Sequence, residues 1–123
     1  MDLYREEILD HYQHPRNFGK MKGASSHAHQ TNPLCGDDIE MFLRLRLGQV
    51  VDVKFQGKGC AICLAGASML TEYVKGKTKK QLTRFSEKDM LDLLGIEVSE
   101  TRKKCALLSL GVLKNCLRGN SKS

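Results

Sequence analysis

Between Ile39 and Ile62 the apolar residues change their period, and that change limits the chain to few architectures. Ile39, Met41, Leu43, Leu45 and Leu47 alternate with Glu40, Phe42, Arg44 and Arg46, the pattern of a half-buried strand with one apolar exception. Gly48-Gln49 fits a two-residue hairpin turn with glycine first, and Val51-Asp52-Val53-Lys54-Phe55-Gln56 alternates again as the returning strand. After Gly57-Lys58-Gly59 the period turns helical, with Ile62, Ala65, Met69 and Tyr73 on one face and Gly76 as the stop. Gly66 inside that helix costs roughly 1 kcal/mol relative to alanine. Its missing side chain suits close packing against the sheet.

The flanking segments are mostly helical. Leu3 to Gln13 reads as an amphipathic helix with Tyr4, Ile8, and His11 or Tyr12 at helical spacing, stopped by Pro15 and the loop Arg16-Asn17-Phe18-Gly19. The polar stretch up to Gln30 has room for one short edge strand. Thr78-Lys79-Lys80-Gln81 and Ser86-Glu87-Lys88-Asp89 resemble capping boxes that start two short helices, the second stopped at Gly95. The last helix is expected from Ser99 to about Arg118, with Gly119 as its stop. Strands followed by helices indicate an α+β domain: a small antiparallel sheet of about three strands, covered by helices on one face.

At 123 residues the chain is expected to form one domain, residues 1–123, able to bury a modest core without disulfides. Its apolar stretches fall short of a membrane span, and Met1-Asp2-Leu3-Tyr4-Arg5-Glu6-Glu7 is no signal peptide, so a cytoplasmic location and no membrane partner are expected. Five cysteines cannot all pair, and a reducing compartment favours metal or sulfur chemistry. Nine of the twenty basic residues lie between Lys75 and Lys104, which makes that half a candidate docking face for an acidic partner surface. With no tryptophan, few other aromatics and no nucleic-acid motif, nucleic acid is not expected as a partner.

Three of the cysteines sit in contexts that expose a sulfur or favour its anionic form. Cys35 lies in the turn-rich Asn32-Pro33-Leu34-Cys35-Gly36-Asp37. Cys60 stands where a strand gives way to a helix, beside unpaired backbone N–H groups and after glycines at 57 and 59 that permit close backbone approach. The Lys-Ser/Thr ending of a phosphate loop is missing there, so nucleotide binding is rejected. Cys105 follows Arg102, Lys103 and Lys104 in the second turn of the last helix, and those cations favour its thiolate. Asp37, two residues from Cys35, is placed to reach the same ion. Cys63 falls on an apolar helical strip and reads as a buried structural thiol. Cys116, about 16 Å beyond Cys105 along the helix, reads as core. His11, His14, His27 and His29 read as surface or helix-end residues, of which only His27 and His29 form a pair worth checking.

Three thiolates and a carboxylate make a closed tetrahedral set for Zn²⁺ and also suit an iron–sulfur cluster. A carboxylate in the fourth place makes the site harder and holds a soft cluster less firmly, the lability that a carrier requires.

These motifs resemble the IscU/NifU/SufU family of iron–sulfur cluster assembly scaffold proteins. Tyr4, Ile8-Leu9-Asp10-His11-Tyr12 and Pro15-Arg16-Asn17 look like the family's opening. Asn32-Pro33-Leu34-Cys35-Gly36-Asp37, Gly57-Lys58-Gly59-Cys60-Ala61-Ile62 and Arg102-Lys103-Lys104-Cys105-Ala106 look like its three ligand loops. The resemblance implies a scaffold for [2Fe–2S] clusters, with Cys35, Asp37, Cys60 and Cys105 holding iron and the cluster. It implies Cys35, Cys60 and Cys105 as sulfur acceptors and Arg102 and Lys104 as assisting cations. The implied partners are a PLP-dependent cysteine desulfurase, docking on the N-terminal helix and the basic half, and apo iron–sulfur proteins as recipients.

The subgroup signals are mixed. Lys104 stands where IscU members generally have histidine, and Glu97-Val98-Ser99-Glu100-Thr101 stands where they have Leu-Pro-Pro-Val-Lys, which argues against handoff to an Hsp70-type chaperone. Arg102-Lys103-Lys104-Cys105 looks like the SufU pattern, whose members bind zinc at this site and act as sulfurtransferases that activate the desulfurase. Yet only 44 residues separate Cys60 from Cys105, too few for the extra SufU segment. Zinc in the same site and a homo-oligomer both remain open.

Overall fold

A computed structural model of the chain describes residues 3–33 and 35–118, with side chains from residue 5 onward. The expected places of Tyr4 on the first helix and of Gly119 as the final stop lie outside what is described. The element order is α1 (Leu3–Gln13), β1 (Ser26–Asn32), β2 (Asp37–Arg46), β3 (Gln49–Lys58), α2 (Ala61–Val74), α3 (Lys79–Thr83), α4 (Glu87–Leu94) and α5 (Glu100–Leu117). The strands form one antiparallel sheet in the order β1-β2-β3. Helix α5 lies across β1 and β2, α2 packs on β3 and α5, and α1 packs on α2. This is the α+β arrangement read from the sequence. Ile39, Met41 and Leu43 of β2 and Val50, Val53 and Phe55 of β3 are fully buried in one cluster with Leu70, Val74, Val112 and Leu113 of the helices. Each such side chain contributes about 1.5–3 kcal/mol of burial.

The hairpin differs from the expected one. Leu47 does not continue the apolar row: it is fully exposed, and with Gly48 it fills the centre of the turn at φ 53° and 78°. The pair Arg46↔Gln49 closes that turn. Two positive φ values give a turn whose twist matches the flanking strands, so the geometry is met with leucine in a position that asparagine would occupy without strain. The register then shifts at Arg44/Leu45. The bulge turns Val50 inward and leaves Val51 44% exposed, so the alternation expected from Val51 onward starts one residue out of step.

Both capping boxes form, with Thr78 and Ser86 accepting from Gln81 and Asp89 and receiving their side chains in return. Ser99 takes the N-cap position of α5, but its hydroxyl meets Thr101 and caps no backbone N–H. Gly66 faces Met90, Leu94 and the backbone of Ala106, so its close packing is against α4 and α5, not the sheet. Helix α2 is buried nearly all round, with Cys63, Ala67, Ser68, Leu70 and Val74 sealed as well as the predicted face. Glu72 alone is exposed, and a one-face pattern understates how much of the helix is covered.

His11 is a helix-end residue, in the last turn of α1, but it is buried there, 4% exposed, and not on the surface. Its Nδ1 lies 2.7 Å from the Ser68 hydroxyl, which also accepts the Arg16 N–H at 2.8 Å, and its Nε2 lies 3.6 Å from Glu72. Burial, then the charge of Arg16, hold the imidazole below the usual histidine range, with Glu72 opposing.

Two outcomes are expected. Leu47→Asn should raise stability by about 1 kcal/mol by relieving the left-handed leucine, read as a higher urea midpoint at unchanged slope. Because the folded His11 resists protonation while the unfolded one takes a proton near pH 6.5, stability should fall as pH drops through that value. The loss should be smaller in His11→Gln, in denaturation compared at about pH 7.5 and about pH 5.5.

Candidate metal centre

The site forms where three chain junctions meet at one end of the sheet. After β1 the chain turns back at once: the N–H groups of Cys35 and Gly36 both donate to the Asn32 carbonyl, at 3.1 and 2.8 Å. That turn leaves Cys35 exposed, and the Asn32 amide donates to its sulfur at 3.4 Å. Asp37 is the first residue of β2 and is 2% exposed. Because Asp38 pairs with Lys58, the end of β3 lies beside the start of β2. Cys60 follows as the N-cap of α2, and its N–H donates to Asp37 Oδ1 at 3.2 Å. Cys105, on α5, lies with its thiol 3.7 Å from the Cys35 sulfur.

The sulfurs of Cys35 and Cys105 and a carboxylate oxygen of Asp37 lie within 4.8 Å of one another. The Cys60 sulfur does not come within that distance of all three, although its backbone is tied to Asp37. Asp37 Oδ2 is buried with no hydrogen-bond partner among the described residues. An unsatisfied buried polar atom costs about 1–3 kcal/mol, more when charged. A cation held between the carboxylate and the sulfurs would remove that penalty. Donor type fits too, since thiolate and carboxylate are zinc ligands and thiolates hold iron–sulfur clusters.

Two expectations about the surroundings need correction. The cations before Cys105 do not favour its thiolate: Arg102 and Lys104 are exposed, and Lys103 pairs with Glu100 at 3.2 Å. Cys105 turns inward at 4% exposure, and burial, then the adjoining Asp37 and Cys35 side chains, push its thiol well above the usual range. The glycines before Cys60 serve the approach of β2. A Cβ on Gly59 would stand 2.5 Å from Asp37 Oδ1, and one on Gly57 would overlap the Asp38 carbonyl.

Cys63 and Cys116 are 1% and 0% exposed, as core thiols should be. Burial pushes the Cys116 thiol up to about 12 and Cys63 higher still. His27 stacks on Phe42 and His29 Nε2 lies 2.6 Å from Asp38 Oδ1, so neither joins the cysteine group. Beside Cys35 opens a cleft of about 420 Å³, lined by Asn32, Cys35, Glu100, Thr101 and Lys104. The sequence marks Asn32 only as a turn former, and its bond to sulfur follows from the tightness of that turn. Nothing in the sequence pointed to Glu100 or Thr101, which reach the cleft because the first turn of α5 faces the β1–β2 turn.

Gly59→Ala should weaken Zn²⁺ binding by about tenfold or more, in competition with a chromogenic chelator, because the new methyl displaces Asp37. Gly57→Ala, aimed at backbone, should lower the thermal midpoint further than Gly59→Ala does.

The fold and the site can be set beside known proteins. The family model described as NifU-like N terminal domain matches residues 3–120. Over 115 residues the chain is 31% identical to "Iron-sulfur cluster assembly scaffold protein IscU 1" of Archaeoglobus fulgidus, covering 94% of this chain and 74% of that protein. Over 129 residues it is 37% identical to "Zinc-dependent sulfurtransferase SufU" of Bacillus subtilis, covering 91% and 87%. Among solved structures, FiSufU of Fervidobacterium islandicum AW-1 superposes with a TM-score of 0.81 at 26% identity, covering 91% of this chain and 94% of that one.

Proposed function

Since the chain belongs to the NifU-like N-terminal domain family, we propose that it is an iron–sulfur cluster assembly scaffold, with a [2Fe–2S] cluster as its cargo. The observation that carries this reading is the convergence of Cys35, Cys105 and the Asp37 carboxylate, one oxygen of which has no hydrogen-bond partner among the described residues, at one end of the sheet. In this proposal Cys35, Cys60, Cys105 and Asp37 hold the cargo. Sulfur comes from a PLP-dependent cysteine desulfurase, and apo iron–sulfur proteins receive the finished cluster. Cys35 is the exposed sulfur and so the first acceptor, with Lys104 beside it in the cleft and Arg102, exposed on the first turn of α5, as the second assisting cation. The carboxylate is the harder ligand and the one that exchanges, which leaves the cluster transferable.

A second reading is supported by the 37% identity to a zinc-dependent sulfurtransferase. There Cys35, Cys60, Cys105 and Asp37 would hold Zn²⁺, which keeps thiolates deprotonated, and a freed thiolate would accept sulfur from the desulfurase persulfide.

Anaerobic reconstitution with iron, cysteine and a desulfurase should give visible charge-transfer absorption and transfer to an apo-ferredoxin, and absence of both would reject the scaffold reading. Tight stoichiometric zinc, with desulfurase stimulation lost in Cys35→Ala, would favour the second. Asp37→Ala should lengthen the lifetime of a bound cluster, because it removes the exchanging oxygen ligand. Equal or faster cluster loss would contradict the role given to the carboxylate.

A further inference from the structure

The five cysteines differ in what can reach them. Cys63 and Cys116 are sealed in the core, Cys60 is partly exposed, and Cys35 is exposed on its turn. Cys105 lies beneath Cys35, 4% exposed, with 3.7 Å between the two sulfurs. The Cys60 sulfur stands outside the 4.8 Å group that holds the other two.

We propose that Cys35 and Cys105 form a redox couple, a modification site at which a peroxide converts the two thiols into an intramolecular disulfide. A disulfide needs the sulfurs at about 2.05 Å, so the pair must close by less than about 2 Å. Cys105 is fixed on a helix, while Cys35 sits on a short turn held by two backbone bonds to Asn32, and the Asn32 amide orients its sulfur. The exposed sulfur meets the oxidant, and the buried one resolves it.

In the first step the peroxide O–O bond breaks, one oxygen joins the Cys35 sulfur as a sulfenic acid, and water leaves. In the second the Cys105 sulfur attacks that of Cys35: the S–S bond forms, the S–O bond breaks, and a second water carries off the oxygen and the Cys105 proton. Two thiols lose two electrons in all, and one peroxide gains them. A thiol reductant reverses the change by exchange. The disulfide leaves Cys60 and Asp37 as the remaining donors, so loading stops under oxidising conditions and resumes on reduction. Only that consequence rests on the proposed function.

The test uses the full chain, stripped of metal by a chelator and treated with hydrogen peroxide. The expected result is a mass decrease of about 2 Da, the loss of two hydrogens, reversed by dithiothreitol. Non-reducing peptide mapping should join the Cys35 and Cys105 peptides, and Cys60→Ser should give the same cross-link. Uptake of Zn²⁺ alone should fall at least about tenfold in the oxidised protein and return on reduction, as expected when two of four donors are withdrawn. A Cys35–Cys60 cross-link, Cys35 advancing to sulfinic acid beside a reduced Cys105, or an unchanged mass would overturn the proposal. If the cross-link forms in a protein whose reduced state takes up neither zinc nor cluster, the functional reading falls and the redox couple stands.

Discussion

The hydrogen bond from the Cys60 N–H to Asp37 Oδ1 joins the first residue of β2 to the start of α2, and the rest of the site is arranged around it. It exists because the β2–β3 register brings Asp38 opposite Lys58, so the chain leaving β3 passes the chain entering β2. The glycines at 57 and 59 make the passage narrow enough for a bond. One carboxylate oxygen is thereby committed to structure. The other is left buried and unpartnered, in a carboxylate that has an oxygen within 4.8 Å of the Cys35 and Cys105 sulfurs.

That division explains why the centre has the character of a holding place. Two of its donors are pinned, Asp37 by the bond and Cys105 by its helix. Cys35 sits on a turn open to solvent, and Cys60 stands at the rim. In the proposed function, a set of four sulfurs would hold iron and sulfide more firmly than this mixture of buried and exposed, soft and hard ligands. Nearby charge is unevenly shared: Lys103 pairs with Glu100, Arg102 is exposed, and Lys104 lines the cleft beside Cys35 while the Cys105 thiol is buried.

Much of this was legible in the sequence. Period and capping chemistry are local, and they gave the strands, the two capping boxes and the helix that follows Gly59. Apolar helical spacing likewise marked Cys63 and Cys116 as core. What escaped was set by neighbours distant in the chain. Leu47 looks like a strand residue because its side chain is apolar, yet the twist of the hairpin places it in the turn. His11 is legible as a helix-end residue, yet not its burial, which depends on the Ser68 hydroxyl that meets it inside. Cys105 follows three cations in sequence, but a helix turns each residue by about 100°, so adjacency there does not mean proximity. The glycines at 57 and 59 were recognisable as close-approach positions. What approaches them depended on a strand register that a pattern does not specify.

The contact between Cys35 and Cys105 spans 70 residues of chain, and the bond from Cys60 to Asp37 spans 23. No short stretch of this polypeptide can therefore assemble the donors before the sheet and α5 have come together. Whatever occupies the centre binds the folded chain and not the unfolded one, so its binding free energy adds to the stability of the fold. Release reverses that gain. Under the proposed function, handing on the cargo would leave the chain in its least stable form, with a buried carboxylate oxygen again lacking a partner, and its tendency to unfold should follow the filling and emptying of the site.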